Sequence, residues 1–531
     1  MTHPPRRLVS AALLSAALLL SAGSAGAEVV LHRGNGGEPQ TLDQAHTSID
    51  VEANVLKDLY EGLTIYDAAG KIIPGAAESW TVSDDGTVYT FKIRDAAKWS
   101  NGEPVTAEDF VFSFRRVEDP KEAAGYANLL YPLKNAEAIN TKGMAIDQLG
   151  AKAVDAKTLE LTLERPTPYL LELLAHQSAL PVNKASVEKN GADFVKPGTM
   201  ISNGAFKLTE NVANDHITAV KNENYWDAAS VKLDKVIFYP LEDQAAAVRR
   251  FQAGELDVNY YFPTDQTDYL RQQLGDQVHM TPSLASYYYT FDTRTEPFND
   301  VRVRKALAMA IDRDFLSEEV FQGGQLPLYS AVPPGIASYG EPEKVSYAET
   351  DQLDREDEAK RLLKEAGYGE GGKPLKIDIR YNTNANHEKV ATAVADNWKA
   401  LGATVTLTNL DVKSHYAYLQ EGGAYGAARC GWTADYADAE SFLGLNISTN
   451  KTFNYAHWKN EKYDALMAQS YAETDQAKRA ALLHEAEKIL LAEEPVTSLM
   501  IYASPWLVSS KVKGWQDNAV NDHLSKFLSK E

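Results

Sequence analysis

A strand–helix–strand pattern between residues 355 and 410 constrains the fold of this chain more than any other feature. Apolar residues recur there at helical spacing, then alternate as in a strand, and then repeat both patterns. Two strands joined by one helix pair in parallel through a right-handed crossover. The sequence therefore predicts an α/β domain, with helices over 355–366 and 387–402 and strands over 375–381 and 405–407.

Further periodic segments extend this pattern along the chain. Thr106 precedes one predicted helix, and Glu108 and Asp109 in its first turn are typical of a helix N-terminus. A C-terminal helix over 475–491 is predicted to direct Leu482, Ala486, Ile489 and Leu490 inward. The other predicted elements are strands at 29–31 and 88–93 and helices over 50–60 and 107–116.

Residues 1–27 have the features of a secretory signal peptide. Arg6 and Arg7 precede an apolar run over 8–20, and small residues end in an A-x-A site at Ala27. The run is shorter than the ~20 residues that span a bilayer, which disfavours the alternative of a membrane anchor. The residue directly after the predicted cleavage site is Glu28 and not a cysteine that could carry a lipid. We expect cleavage near Ala27, with no membrane insertion and no lipid anchor afterwards.

Charge and cysteine content narrow the classes of partner. The formal net charge is −21, and it becomes −23 without the two leader arginines, which disfavours nucleic acid and anionic membranes as partners. The 504 residues after Ala27 exceed one ordinary core and predict two or three domains. Cys430 is the only cysteine, so no intrachain disulfide can form.

Motifs for catalysis are missing from the sequence. It contains no nucleophile elbow, no zinc-protease helix and no phosphate-binding loop, and its eleven histidines are scattered. We therefore predict a binding protein without a cofactor or a metal site. A secreted hydrolase with an unrecognised site remains the alternative from a different class.

Several segments resemble bacterial extracellular solute-binding proteins of family 5, the peptide-binding family. The longest is residues 84–110, DDGTVYTFKIRDAAKWSNGEPVTAEDF. Residues 429–436 (RCGWTADY) and 441–443 (SFL) are similar to the oligopeptide-binding branch. The remaining segments are DLYEGL at 58–63, NGAF at 203–206, FQAGELD at 251–257 and FNDVRVR at 298–304.

The resemblance implies a type II periplasmic-binding-protein fold, in which two hinged α/β lobes close on a ligand and an extra lobe lies beside the first. It also implies a monomer in the periplasm that delivers its ligand to an inner-membrane ABC permease. By matching segments, lobe I comprises 28–60, 185–286 and 503–531. Lobe II, the extra lobe, comprises 61–184, and lobe III comprises 287–502.

The same resemblance implies the ligand-binding residues. A peptide ammonium in a closed cleft needs a carboxylate, and Asp435 matches that position. Arg429 and His387 match positions that bind the peptide carboxylate, and His387 is also predicted near a helix N-terminus, which favours anions. A purely structural role remains the alternative for each residue. Asp435 could be a carboxylate near a turn, Arg429 could form an ion pair between lobes, and His387 could cap a helix.

Three positions depart from the best-known oligopeptide binders. This chain has Gln420, Phe321 and Ser48. The best-known oligopeptide binders have an arginine, a lysine and a glutamate, respectively, at the matching positions. The lost lysine and glutamate are complementary charges. The departures predict a cleft with fewer cationic anchors and a different preference in peptide length or chemistry.

Backbone contacts are expected to hold the middle of an extended ligand, which can add a strand between lobe edges. We place Ser48–Val51 on one side and Gly431, Trp432 and Thr433 on the other. Trp432, Tyr126 and Trp515 are candidates to line side-chain pockets, although aromatic residues are more often core.

The sequence thus predicts the binding subunit of an importer for short peptides, including cell-wall peptides. Relatives of this fold carry sugars, opines, metal chelates or haem, so a non-peptide solute such as a murein fragment is the nearest alternative.

Overall fold

The computed structural model describes residues 1–2, 28–47, 49–322, 324–369 and 371–531. The predicted signal peptide and Ser48 lie outside these residues. The strands are β1 Val30–Gly34, β2 Thr64–Tyr66, β3 Ile72–Pro74, β4 Ala77–Val82, β5 Val88–Ile93, β6 Ala151–Asp155, β7 Thr158–Thr162, β8 Phe206–Val212, β9 His216–Lys221, β10 Lys235–Tyr239, β11 Val258–Tyr260, β12 Val278–Phe291, β13 Gln325–Pro327, β14 Lys376–Asn382, β15 Thr404–Leu410, β16 Ala427–Thr433, β17 Val496–Val508, β18 Val512–Lys513 and β19 Ser529–Lys530.

Helices fill the segments between the strands. They are α1 Asp50–Leu59, α2 Ala107–Glu118, α3 Ala136–Lys142, α4 Leu170–Leu173, α5 Lys184–Asn190, α6 Gln244–Gln252, α7 Thr267–Leu274, α8 Val301–Met309, α9 Arg313–Phe315, α10 Gln352–Glu365, α11 Ala385–Ala400, α12 Val412–Gln420, α13 Glu440–Leu443, α14 Glu461–Ala472 and α15 Gln476–Glu493. Among the described residues, no helix combines the length and the apolar character needed to cross a membrane.

One mixed sheet runs through the molecule in the order β15-β14-β16-β12-β17-β11-β1-β10-β9-β8, with β13 paired to β17. The long strands β12 and β17 lie at its centre and are antiparallel to each other. The second half of β12 also pairs with β16, and the last residues of β17 also pair with β11. These two strands therefore connect the two ends of the sheet.

The pairing of β12 with β17 is interrupted near the middle of both strands. Pro282 pairs with Ala503, whereas the next pair is Ser286 with Ile501, so three residues of β12 lie opposite one residue of β17. A bulge of this kind bends a strand and increases its local twist. The predicted lobe boundaries at 286/287 and 502/503 lie beside the interruption, and the division into lobes stays a prediction.

The strand–helix–strand prediction is confirmed. β14 and β15 pair in parallel and are joined by α11, which buries Val390, Val394 and Trp398. α10 begins three residues before its predicted start, and Gly367 after it has φ +86° in the left-handed region. The predicted α/β fold class therefore describes this part of the chain correctly.

Predictions outside that unit are confirmed with one adjustment. The backbone N–H of Thr106 donates to Asp109 at 2.8 Å at the start of α2. In α15, however, Leu483 is fully buried together with Ala486 and Leu490, whereas Leu482 and Ile489 are half-buried. Ala486 and Leu490 are thus buried as predicted, and the buried face also includes Arg479 and Leu483 in place of Leu482 and Ile489.

Residues of predicted lobes I and II pack into a common hydrophobic core. One core contains Leu31 and Phe238 from predicted lobe I together with Phe91 and Phe110 from predicted lobe II. A separate core contains Tyr287, Val394 and Trp398 of predicted lobe III. Because interiors pack tightly, segments that share a core resist relative motion, whereas segments with separate cores can move.

Candidate ligand-binding cleft

Arg429 is a buried cation without an anionic partner. Its side chain extends from β16, is 8% exposed and lies over the ring of Tyr287, 4.7 Å from the ring centroid. Its Nη1 donates to Asn382 and to the hydroxyl of Tyr416, and its Nη2 donates to the hydroxyl of Tyr502, all at 3.1 Å. Among the described residues, no carboxylate lies within ion-pair distance of the guanidinium.

The Arg429 pocket retains unused hydrogen-bonding capacity. The Arg429 Nε atom is buried and has no hydrogen-bond partner among the described residues. Tyr416 and Tyr502 accept hydrogen bonds from Arg429 through their oxygens, so each hydroxyl proton is left to donate elsewhere. A buried charge of this kind is costly unless it becomes paired, and the geometry suits an incoming anion.

His387 borders the same pocket. It lies in the first turn of α11, and its ring meets the ring of Tyr287 edge-on with centroids 5.5 Å apart. Its Nδ1 atom is buried and unpartnered in the described part of the chain. Burial, followed by the charges of Arg429 and His415, lowers the pKa of His387 to about 4. At neutral pH it is therefore an uncharged imidazole.

Asp435 lies two residues beyond the end of β16 and is exposed to solvent. No described residue donates a hydrogen bond to its carboxylate or forms an ion pair with it. The surrounding protein nevertheless desolvates the group enough to raise the pKa of Asp435. A carboxylate that is partly desolvated and has no donor suits a cationic ligand group.

Tyr126 comes close to Asp435 from the opposite side of the cleft. Burial raises the pKa of Tyr126, and the charges of Asp435 and then Asp50 raise it further. The adjoining residue Tyr436 stacks on Tyr169, with centroids 4.3 Å apart and planes 6° apart. Segments of predicted lobes I, II and III therefore meet around the phenol of Tyr126.

β16 offers a free edge beside these groups. β14 pairs with β16 only at Ala427 and Ala428, whereas β12 pairs with its whole length from 427 to 433. On the side away from β12, the carbonyl of Arg429 accepts from His415 Nε2 at 2.9 Å. Since residues alternate in direction along a strand, Gly431 and Thr433 present their backbone groups to that same side, where Tyr416 already forms a hydrogen bond with the backbone of Gly431.

Gly431 leaves space for the buried cation. A Cβ atom at this position would lie 3.0 Å from Nη2 of Arg429. Any other residue at 431 would therefore press on the guanidinium. The absence of a side chain serves both the Arg429 pocket and the approach of a ligand backbone to the strand.

The aromatic candidates fall into two groups. Tyr126 lies beside Asp435, as described above. Trp432 donates from Nε1 to Ser441 at 3.1 Å and meets Phe453 edge-on, so part of its ring packs in the interior. Trp515 stacks on His523 with centroids 3.9 Å apart and meets Trp506 edge-on. Pocket lining by Trp432 and Trp515 stays a prediction.

The prediction that Ser48–Val51 forms an extended edge requires correction. Val51 lies in the first turn of α1, and its carbonyl accepts from Asn35 Nδ2 at 2.8 Å. Its backbone is therefore committed to a helix and offers no strand edge, and Ser48 lies outside the described residues. This side of the cleft presents a helix N-terminus instead.

Several residues that surround Arg429 were not predicted from the sequence. Tyr287, Tyr416, Tyr502 and Asn382 surround Arg429, yet they come from four separate segments. Asp50 lies within the range 48–51 that was predicted to border the ligand, but its carboxylate was given no role there. The run of three tyrosines at 287–289 in β12 was the available signal, because alternate members of a strand share one face.

A cavity of about 390 Å³ lies elsewhere, between predicted lobes II and III. Trp80, Tyr89 and Tyr169 line it together with the ion pair of Arg479 and Asp438, whose atoms are 2.7 Å apart. None of the predicted ligand-binding residues borders this cavity. Among the described residues, no group of three or more His, Cys, Asp and Glu side chains could hold a metal ion.

Comparison with known proteins agrees with this geometry. Residues 71–454 match the model of the bacterial extracellular solute-binding proteins, family 5. The chain is 38% identical to the periplasmic oligopeptide-binding protein OppA of Escherichia coli over 97% of this chain and 96% of that protein. It is 39% identical to the periplasmic murein peptide-binding protein MppA of the same organism, with the same two coverages.

Solved structures of related proteins superpose on most of this chain. The unliganded open form of MppA superposes with a TM-score of 0.91 at 38% identity, covering 95% of this chain and 98% of that one. Haemophilus influenzae OppA in complex with the peptide RPPGFSPFR gives 0.66 at 37% identity, covering 95% and 99%. At nearly equal identity, the chain is thus more similar in structure to the unliganded open form of MppA than to this peptide complex.

Proposed function

The chain belongs to the bacterial extracellular solute-binding proteins of family 5 and has their type II periplasmic-binding-protein fold, and we propose that it is the peptide-capturing subunit of an ABC importer. One observation carries the proposal. A carboxylate without a donor, Asp435, and a buried cation without a counter-ion, Arg429, stand six residues apart, Arg429 on β16 and Asp435 in the bend just after that strand. A peptide carries the complementary ammonium and carboxylate at its two ends.

The proposed ligand runs along the open edge of β16. Its ammonium pairs with Asp435 beside Tyr126, and its carboxylate accepts from Arg429 and His387. Backbone groups of Gly431 and Thr433 hold the peptide between these ends, as in strand addition. Such contacts read no side chains, which suits capture of many sequences.

The spacing of the two anchors limits ligand length. Arg429 and Asp435 are six residues apart, four of them within β16 and two in the bend that follows it, so at ~3.3 Å per residue their Cα atoms are at most about 20 Å apart. Both side chains reach toward the ligand and shorten that interval, so about three to five extended residues fit between them. Phe321 and Gln420 stand where the best-known oligopeptide binders have cations, which leaves Arg429 as the anchor for the carboxylate.

Closure of the cleft is proposed to occur at the interruption of the β12–β17 ladder. Predicted lobes I and II share one core, predicted lobe III has a second, and a third core joins residues of lobe III to Tyr66 and Ala175 of predicted lobe II, so closure has to rearrange that third core. The irregular pairing between Pro282 and Ser286 supplies a place where the connecting strands can bend. The closed form is the one that we expect the inner-membrane permease to receive.

We also propose that the protein is located in the periplasm and is a monomer. The relatives are named as periplasmic proteins, and the features of residues 1–27 support export with cleavage near Ala27. The family and these relatives are solute-binding proteins rather than enzymes. We propose that this chain likewise does not cleave its ligand, and we expect bound peptides to be released intact.

A murein peptide is the second candidate ligand. The 39% identity to the murein peptide-binding protein MppA supports it. Such a ligand carries an ammonium and carboxylates and would use the same anchors, so the two candidates differ in ligand and not in site.

Native mass spectrometry of protein purified without unfolding tests the proposal. Co-purifying ligands would be released and sequenced. Short peptides with free N-termini would support it, and a murein peptide would select the second candidate. A sugar, a chelate or cleavage of added peptides would contradict it. Adding tripeptides to ligand-free protein and measuring heat of binding provides the complementary control.

A further inference from the structure

Asp50 is a second carboxylate of the cleft that lacks a cationic partner. It begins α1, is exposed, and accepts one hydrogen bond at Oδ2 from the neutral hydroxyl of Tyr260 at 2.7 Å. No described residue donates to its Oδ1 or forms an ion pair with it. Tyr260 itself is 2% exposed and fixed by Asn521 at 3.1 Å. The carboxylate is therefore held in place by a rigid neutral donor.

Contacts between segments bring Asp50 to the ammonium end of the cleft. Just before α1, the Nε2 atom of His46 donates to the carbonyl of Glu122 at 2.8 Å, which ties this segment to the one that carries Tyr126. Tyr126 in turn lies against His176, with ring centroids 5.2 Å apart. Asp435 reaches the same tyrosine from predicted lobe III.

Other charged groups nearby are already paired. Lys57, two turns along α1 from Asp50, lies 2.6 Å from Asp522. Asp438, beyond Asp435, forms its ion pair with Arg479. Neither lysine nor arginine from these pairs is free to neutralise Asp50. Among the described residues, Asp435 and Asp50 therefore both lack an ion-pair partner at this end of the cleft, and the nine-tenths buried Arg429 lacks one at the other end.

These charges do not balance around an uncharged peptide. A peptide with neutral side chains brings one ammonium for Asp435 and one carboxylate for Arg429, and it leaves Asp50 unpaired. Closing the cleft would then remove water from an uncompensated charge, which is costly. A peptide with one additional positive charge near its ammonium end leaves no charge unpaired.

We propose that the cleft selects peptides with a cationic side chain at the first or second residue, and that Asp50 binds that side chain. This inference rests on the proposed function, because it takes the ammonium at Asp435 as the start of the ligand. It names Asp50 as a determinant of specificity rather than of binding as such.

Calorimetry with matched tripeptides tests the proposal. Lys-Ala-Ala, Ala-Lys-Ala and Ala-Ala-Lys would each be compared with the peptide that carries norleucine, an uncharged residue of similar shape, in place of lysine. We expect lysine at position one or two to strengthen binding by about tenfold or more over norleucine. Equal affinities, or a gain confined to position three, would overturn the proposal.

Variants separate Asp50 from the overall negative charge. Asp50→Asn should abolish the lysine preference while keeping the affinity for norleucine peptides, and Asp50→Glu should retain part of the preference. Asp276→Asn removes the same charge from an exposed turn before β12 and should change nothing. A lysine preference that persists in Asp50→Asn would overturn the assignment. If the wild-type protein binds none of the six peptides, the proposed function itself fails.

Discussion

Arg429 and Tyr287 form a cation–π contact, with the guanidinium carbon 4.7 Å from the ring centroid. The contact comes from neighbouring antiparallel strands, because Arg429 pairs with Tyr289 and Tyr287 lies two residues along the same face. A tyrosine ring stabilises a cation without neutralising it. The pocket therefore keeps a full positive charge available to a ligand.

Replacing Arg429 with glutamine should weaken tripeptide binding by roughly 2–5 kcal/mol, because the ligand carboxylate is left buried without its cation. Isothermal titration calorimetry measures the loss. Arg380→Gln is the matched control, since Arg380 lies 3.9 Å from the Tyr418 ring and already faces Asp378 at 3.5 Å. Equal affinity of the Arg429 variant and the wild-type protein would contradict the assignment.

The two predicted carboxylate anchors should matter unequally as the ligand lengthens. Arg429 extends from β16, whereas His387 lies in the first turn of α11, so their side chains reach different distances along a peptide. Arg429→Ala and His387→Ala would be titrated with alanine peptides of three to five residues. A loss that is the same for every length would mean that both residues only support the structure.

Asp435→Asn should weaken binding of peptides with a free N-terminus by several kcal/mol, since the ammonium loses its partner. N-acetylated peptides should bind the wild-type protein as weakly as free peptides bind the variant. The acetylated peptides should lose little further affinity in the variant, because the same interaction is missing already. An unchanged affinity for free peptides would remove Asp435 from the site.

The sequence predicted the architecture around the cleft better than the cleft itself. Helical and alternating patterns predicted α11, β14 and β15 correctly. A helix or strand that buries one face has apolar residues at a regular local spacing, which the sequence shows directly. The Arg429 pocket depends on Asn382, Tyr416 and Tyr502, which converge only through the pairing of distant strands and helices. Periodicity carries no information about such convergence.

The failure at Val51 has a similar cause. The resemblance placed this segment on the ligand side, and that assignment said nothing about backbone shape. Helix periodicity over residues 50–60 already predicted α1, and the helix leaves no free strand edge at Val51. Local pattern was the better guide to conformation here, whereas resemblance was the better guide to location.

Acidification should weaken peptide binding through Asp435. Desolvation raises the pKa of this carboxyl, so it becomes protonated at a higher pH than an ordinary aspartate at ~3.9. The ionised form pairs with the ammonium, and affinity is therefore present at neutral pH and lost as the pH falls through that raised value. Calorimetry from pH 7 to pH 4 should show the loss in the wild-type protein and a flatter profile in Asp435→Asn.

His387 contributes no titration to that profile above pH 5, because its pKa is lowered to about 4. The C2 proton of His387, followed by NMR and assigned with His387→Gln, should shift with a midpoint near that value. A midpoint near the ordinary ~6.5 would show that the ring is charged under mildly acidic conditions. The anion pocket would then hold a second cation, contrary to the geometry around Tyr287.

Glu118 provides a test of stability that is independent of ligand. It ends α2, is fully buried, and neither carboxyl oxygen has a hydrogen-bond partner among the described residues. Burial raises the pKa of Glu118 to about 8 from 4.5. The folded protein therefore retains a proton that the unfolded chain releases, and this lowers the free energy of unfolding as the pH rises from 4.5 to 8.

Glu118→Gln removes that titration while keeping the size of the side chain. The variant and the wild-type protein should have similar unfolding free energies near pH 4.5, and the variant should become the more stable, by an amount on the order of a few kcal/mol, near pH 8. Urea unfolding at both pH values measures the difference. Glu137→Gln, an exposed change on the neighbouring helix α3, should show no such divergence. A constant offset between Glu118→Gln and the wild-type protein at both pH values would mean that Glu118 is ionised in the fold and has a partner after all.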